Sequence, residues 1–144
     1  MNRRDLVLAI LAAADGRSYT PVQIQKAVFV VCDHFPDLID EGPDFNFQPY
    51  DYGPFDSDVY SVISRLEDAG FAEIAPSAHG NWNTYAATDH GVDRGEEILD
   101  EMPGEEERHI RRISAWVRSL GFASLVKSIY EAYPQMRANS IFRG

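Results

Sequence analysis

Apolar side chains recur along this chain at two spacings, and each spacing predicts a different element. Leu6, Val7, Ile10, Leu11 and Ala14 keep the three-to-four-residue step of a helix over 4–14, with Gly16 as its stop. Thr20-Pro21-Val22-Gln23 is a helix start: Thr caps, Pro suits the first turn, and Gln three residues on completes a capping box. That second helix carries Ile24, Ala27, Val28 and Val31 on one face, Phe29 and Val30 widen the stripe, and it ends near His34, before Pro36. Residues 36–44 read as loop. Phe45 to Tyr50 predicts a short strand, Gly53-Pro54 a turn, and Asp56 or Ser57 the cap of a third helix with Val59, Ile63 and Leu66 inward and Gly70 at its end. Residues 71–76 and 84–88 predict two extended segments joined by a loop at 78–81.

Beyond the hairpin the pattern is helical again. Thr88 or Asp89 caps a helix running to Met102, in which Gly91 and Gly95 each cost ~1 kcal/mol against Ala. Pro103-Gly104 breaks the chain. Residues 105–120 follow as a helix with an acidic first turn, Glu105 to Glu107, and a seam of Ile110, Ile113, Val117 and Leu120. After Gly121 a last helix over 123–133 carries Val126, Ile129, Tyr130 and Tyr133 and stops at Pro134. The fold class this predicts is α+β and mostly helical. The order helix, capped helix, helix, hairpin predicts a winged-helix-like part over 1–88. Helices at 89–134 close it and 135–144 form a tail, all in one domain of 144 residues.

Charge changes the picture more than composition does. Residues 1–107 hold 22 acidic and 6 basic side chains, whereas 108–144 hold one acid and seven bases, within a net charge of −10. Phosphate binding draws on clustered Lys and Arg, so only the C-terminal part offers a footing for nucleic acid. No apolar run approaches the ~18–20 residues of a membrane span. Arg3 and Arg4 before Leu6–Ala14 resemble the start of a secretory signal, but Asp5 interrupts the basic stretch and the apolar run is short, so the expectation is a mature helix in a cytoplasmic protein. The single cysteine, Cys32, fits a reducing compartment.

Motif chemistry is sparse. His34, His79, His90 and His109 are scattered, and Cys32-Asp33-His34 are neighbours that point apart on a helix. No zinc spacing, P-loop or dinucleotide glycine motif occurs. No metal, cofactor or catalytic residue is expected, and Cys32 reads as a buried thiol. The third helix, from Asp56 to Asp68, has four acids and only Arg65, and the loop from Ser77 to Asn83 has neither Lys nor Arg. A DNA reader would need the opposite. Arg108, Arg111, Arg112 and Arg118 make the fifth helix basic. Pairing of Glu105 with Arg108 and of Glu107 with Arg111 accounts for two of them, and Arg112 and Arg118 are expected to face the acidic remainder.

Three strings carry a resemblance. They are Ile24-Gln25-Lys26-Ala27-Val28-Phe29, then Phe47 through Tyr50-Asp51-Tyr52-Gly53-Pro54-Phe55 with Val59-Tyr60 and Leu66, and Gly70-Phe71 with Tyr85-Ala86-Ala87-Thr88. Together, over roughly 5–133, they resemble the Panacea (SocA-like) antitoxin domain and the related YwgA-like proteins. The tail, with Tyr133-Pro134-Gln135 and Asn139-Ser140-Ile141-Phe142, is closer to the YwgA-like branch. The resemblance implies a toxin-antitoxin or proteolytic-adaptor role by direct protein contact. Aromatics then become the candidate partner-binding residues: Tyr50, Tyr52, Phe55, Tyr60 and above all Trp82, which sits between two Asn in a polar loop. Their competing use is to fill the corner around Gly53 and Pro54, where Tyr52 and Phe55 would plug the junction with the C-terminal helices. The expectation is a non-enzymatic protein-binding module. The alternatives are a winged-helix transcription regulator and a small enzyme, the latter requiring a pocket with convergent polar groups.

Overall fold

The computed structural model describes residues 1–143. It is a mixed α+β fold, mostly helical, with two small β-hairpins. The helices are α1 (Arg3–Ala12), α2 (Pro21–His34), α3 (Asp58–Asp68), α4 (Asp89–Glu101), α5 (Gly104–Ser119) and α6 (Phe122–Ala132). Strands β1 (Gln48–Tyr50) and β2 (Gly53–Phe55) form the first hairpin, β3 (Ala72–Pro76) and β4 (Asn83–Ala87) the second, both antiparallel. A 3-10 turn, Pro134–Arg137, follows α6.

Helix α1 lies in the middle. Every residue from Leu6 to Ala12 is buried, because α3, α4, α5 and β4 all pack against it. It ends two residues earlier than its apolar pattern predicts. The capping box of α2 is formed as the sequence requires, Thr20 Oγ1 accepting from Gln23 N and Gln23 Oε1 from Thr20 N. Asp56, not Ser57, supplies the side-chain contact at the start of α3: its Oδ1 accepts from Asp58 N at 2.9 Å. The second hairpin is stitched to the rest by Tyr19, which exchanges both backbone hydrogen bonds with Tyr85 at 2.8 and 3.0 Å. The fully buried Tyr19 hydroxyl contacts Ser114 Oγ on α5 and donates to the Ile10 carbonyl on α1.

The two glycines that weaken α4 on propensity have a packing purpose. A methyl group on Gly95 would stand 2.2 Å from the Ala12 methyl, and one on Gly91 would stand 1.9 Å from the Phe71 carbonyl oxygen. Only glycine allows α4 to come this close to α1 and to the start of the second hairpin. The helix propensity lost at each site, ~1 kcal/mol, is offset by contact that no larger residue could make.

Three expectations need correction. The paired strand begins at Gln48, not Phe45; Phe45 and Phe47 are extended and alternate inward, Phe47 packing edge-on against Phe29 at 5.4 Å, but neither pairs with another strand. The chain reverses at Asp51-Tyr52, two residues before Gly53-Pro54, which instead open the returning strand β2. Gly53 does carry the special conformation, with φ of 107°, and it is buried together with Pro54. The ion pairs on α5 also differ. Glu107 pairs with Arg111 at 2.7 Å as expected, and the same guanidinium reaches across to Glu96 on α4 at 2.7 Å. Among the described residues Arg108 makes no ion pair with Glu105, Arg112 donates to His109 Nδ1, and Arg118 donates to Ser114 Oγ over the Tyr19 ring. Arg111, not Arg112 or Arg118, ties the basic helix to the acidic part.

The tail folds back. Ile141 N donates to the Asp51 carbonyl at 3.0 Å, and Asn139 Nδ2 donates to the Pro49 carbonyl at 3.1 Å. Ser140 Oγ joins the Tyr130 hydroxyl to the Asp51 carbonyl. The first hairpin is thus held from the far end of the chain.

Candidate functional site: an aromatic cleft over a buried lysine

Two neighbouring side chains of α2 fasten the first hairpin. Gln25 clamps the backbone of Asp56 at both ends, Nε2 donating to its carbonyl at 2.9 Å and Oε1 accepting from its N–H at 3.1 Å. Lys26 Nζ donates to the Pro54 carbonyl at 3.0 Å. The Gln-Lys string and the Tyr-Gly-Pro string, about 25 residues apart in sequence, are thereby the two halves of one joint. Gly53 completes it. A methyl group there would sit 3.4 Å from the Lys26 ε-carbon and 3.5 Å from the Tyr130 ring, in a backbone conformation that side chains rarely adopt.

Above this joint opens a cleft of about 650 Å3. Its walls are the first turns of α2 (Thr20 to Gln23), the hairpin (Tyr50 to Gly53 and Phe55), Tyr60 on α3, Trp82, and Leu120 to Phe122 at the α5–α6 junction. Every aromatic singled out from the sequence lines it: Tyr50, Tyr52, Phe55, Tyr60 and Trp82. They are not a loose scatter. Tyr50 stacks on Phe55 at 5.1 Å, Phe55 meets Tyr60 at 5.9 Å, and Tyr60 stacks on the core residue Tyr85 at 5.3 Å. Across the cleft Tyr52 meets Phe122 edge to face at 4.9 Å.

Burial separates the wall into support and surface. Phe55 and Tyr60 are half-buried, and the Phe55 ring packs between Tyr50 and Tyr60. Tyr52 contacts Phe122 yet stays exposed. Tyr50, Trp82 and Phe122 are 54%, 43% and 46% exposed. Trp82 folds back over its own loop, where a methyl group on Gly80 would overlap its ring. Burial pushes the Tyr60 phenol up to about 12, with Tyr85 adding to it, so the hydroxyl stays neutral at ordinary pH.

The residue that the sequence reading left without a role is Lys26. It is 3% exposed and lines the cleft. Burial pushes its ammonium down to about 7. Among the described residues it has one hydrogen-bond acceptor and no carboxylate partner. Its signal lies in the pattern of α2, where every residue from Ile24 to Val31 is buried. A lysine inside such a run has no solvent face. Phe122, next to the helix-breaking Gly121, also went unnoticed because it starts a helix whose stripe was read from Val126 onward.

The other titratable group of note lies elsewhere. His34 Nδ1 and His109 Nε2 are 2.5 Å apart across α2 and α5, with Tyr133 donating to Asp33 beside them at 2.8 Å. Among the described residues no three His, Cys, Asp or Glu side chains gather as a metal site needs. Cys32 is partly buried, and burial with the nearby Asp44 raises its thiol to about 12. No helix among the described residues is long and apolar enough to cross a membrane.

Comparison with protein-family models gives no match to this chain, and comparison with curated proteins gives none either. The resemblance to the Panacea group therefore rests on its motifs alone.

Proposed function

We propose that this chain is a non-enzymatic protein-binding module, of antitoxin or adaptor type, that engages a partner protein through the aromatic cleft. One observation carries the reading: Tyr50, Tyr52, Trp82 and Phe122, all large and all exposed, surround a single concave surface. Exposed aromatics gathered around a hollow are the usual anchors of an interface. The resemblance of the Gln-Lys and Tyr-Gly-Pro strings to antitoxins agrees with this use. In this reading α1 to α3 and the second hairpin are a winged-helix-like scaffold that supports the cleft, not a reader of DNA. The charge supports that choice, since α3 carries Arg65 against Asp58, Glu67 and Asp68, and the loop from Ser77 to Asn83 has no base. An acidic surface suits a partner with a basic face.

The test is a tagged capture from host lysate, with and without nuclease, comparing wild type with Trp82→Ala and Tyr50→Ala. A protein that is retained after nuclease and lost from both variants supports the module. A partner held equally by all three places binding elsewhere. Partners that vanish with nuclease favour the DNA regulator.

A further inference from the structure

Lys26 is an awkward choice for holding a hairpin. Gln25 beside it already makes two hydrogen bonds to the Asp56 backbone, and one carbonyl, that of Pro54, uses only one of the three N–H groups of an ammonium. A buried cation without a counter-charge costs stability that a neutral residue would not. Lys26 lines a cleft whose walls are mostly apolar, its amine rests on the Pro54 carbonyl, and no acid pairs with it among the described residues, although the protein is strongly acidic. A buried cation beside aromatic walls matches one kind of guest.

We propose that the cleft binds a carboxylate carried on an aromatic or apolar body, with the body between Tyr50, Tyr52, Trp82 and Phe122 and the carboxylate on Lys26 Nζ. This rests on the cleft being the binding face and names the chemistry it reads. The guest supplies the missing counter-charge, and an opposite charge a few ångströms away restores the ammonium that burial disfavours. A monoanion fits better than a phosphate, since a single lysine stands alone and Asp51 lies on the rim. Because the cleft is read as a protein-binding face, the carboxylate is the C-terminus of a partner chain ending in an apolar residue.

Protonation makes the reading specific. Tyr50, Asp51, Tyr52 and Tyr60 line the same cleft as Lys26, the Tyr130 ring of α6 lies beside Lys26 at Gly53, and Asp56 is held by Gln25 next to it. Of these Tyr60 stays neutral below about 12. Lys26 is half-protonated near pH 7, so above that pH each bound carboxylate must bring in a proton. Affinity is then flat on the acid side and falls by up to about tenfold per pH unit on the alkaline side.

The experiment is calorimetric titration of the whole chain with 3-phenylpropionate, its amide, and a hexapeptide ending in Trp with a free or an amidated C-terminus, at pH 6, 7 and 8.5. Both acids are expected to bind about tenfold or more tightly than their amides, with proton uptake at pH 8.5 and loss of this preference in Lys26→Met. A peptide advantage above tenfold supports the chain end; a free acid that equals the peptide overturns that occupant in favour of a small-molecule acid. Amides that bind as well as acids, or no binding by any probe at pH 6, overturn the proposal, and neither result depends on a variant folding. If a captured partner is lost with Trp82→Ala but kept with Lys26→Met, the cleft remains the binding face and the carboxylate is wrong. If neither variant matters, both readings fall.

Discussion

The contact of α4 with α1 and the contact of α2 with the first hairpin solve opposite problems. In the first, side chains are removed until two backbones nearly touch: Gly91 against the Phe71 carbonyl, Gly95 against Ala12. In the second, large side chains are kept where packing does not need them, and a lysine is buried where packing would prefer a methionine. The first surface is what stability alone selects. The second departs from it at several neighbouring residues at once, and such departures gather at functional sites. In a chain whose sequence carries no recognised catalytic motif, function is sought on the second kind of surface.

The glycine contact is the easier of the two to disrupt. Gly91→Ala is expected to lower stability by about 1–3 kcal/mol despite its better helix propensity, because the new methyl group meets a backbone oxygen that cannot rotate away. A thermal melt that stays put would show that α4 is not held as closely as described. A smaller effect of opposite kind is expected on the other side. Lys26 has its folded value lowered to about 7, so between that pH and its ordinary value the unfolded chain holds a proton that the folded chain lacks. Stability therefore rises with pH over the window from 7 to about 9, before buried phenols and the Cys32 thiol, whose values are raised, pull the other way. Lys26→Met should flatten that rise and be no less stable than wild type at pH 6. A wild-type denaturant series at pH 7 and 8.5 with no slope would count against the buried cation.

The pair His34–His109 joins α2 to α5 on a third surface. Burial first, then His34 and Arg112, lower His109, with Glu105 opposing. A lowered histidine stabilises the fold above its ordinary value and loses that contribution as pH falls below about 6.5. His109→Gln should remove part of the acid-side loss, read as melting temperature between pH 7 and 5. The smallest effect is expected for Trp82→Ala. Its ring lies over Gly80 and is 43% exposed, so the melting temperature should scarcely move while the proposed partner binding weakens; a large destabilisation would make Trp82 a core residue.

Much of the fold was legible because capping and periodicity are local. The Thr20 capping box and the stripe of α3 needed no knowledge of the rest of the chain. The turn at Asp51-Tyr52 was misplaced by two residues for a tertiary reason: Gly53 needs its positive φ to pass beside Lys26, not to reverse the chain. The aromatic wall was legible as a set of residues, since exposed Tyr and Trp in polar or breaker-rich segments stand out. Its convergence was not, because Tyr50, Tyr60, Trp82 and Phe122 come from four separate elements. The weakness that Gly91 and Gly95 bring to α4 was legible from propensity, whereas their purpose depends on Phe71 and Ala12, which no periodicity connects to them.

The clasp of the tail on the first hairpin has a consequence for how the molecule forms. Asn139 and Ser140 reach Pro49 and Asp51 across 90 and 89 residues of chain. Contacts of such separation carry the largest loop-closure entropy in a small protein and are made after local ones. The docking of α5 on Tyr19, across 95 residues, carries the same cost, whereas each helix and the second hairpin can form first from near neighbours. The cleft takes its final shape only when the last strand of the hairpin, α6 and the tail meet. The binding proposed for the cleft should therefore appear in refolding as a late phase, trailing the recovery of helical signal.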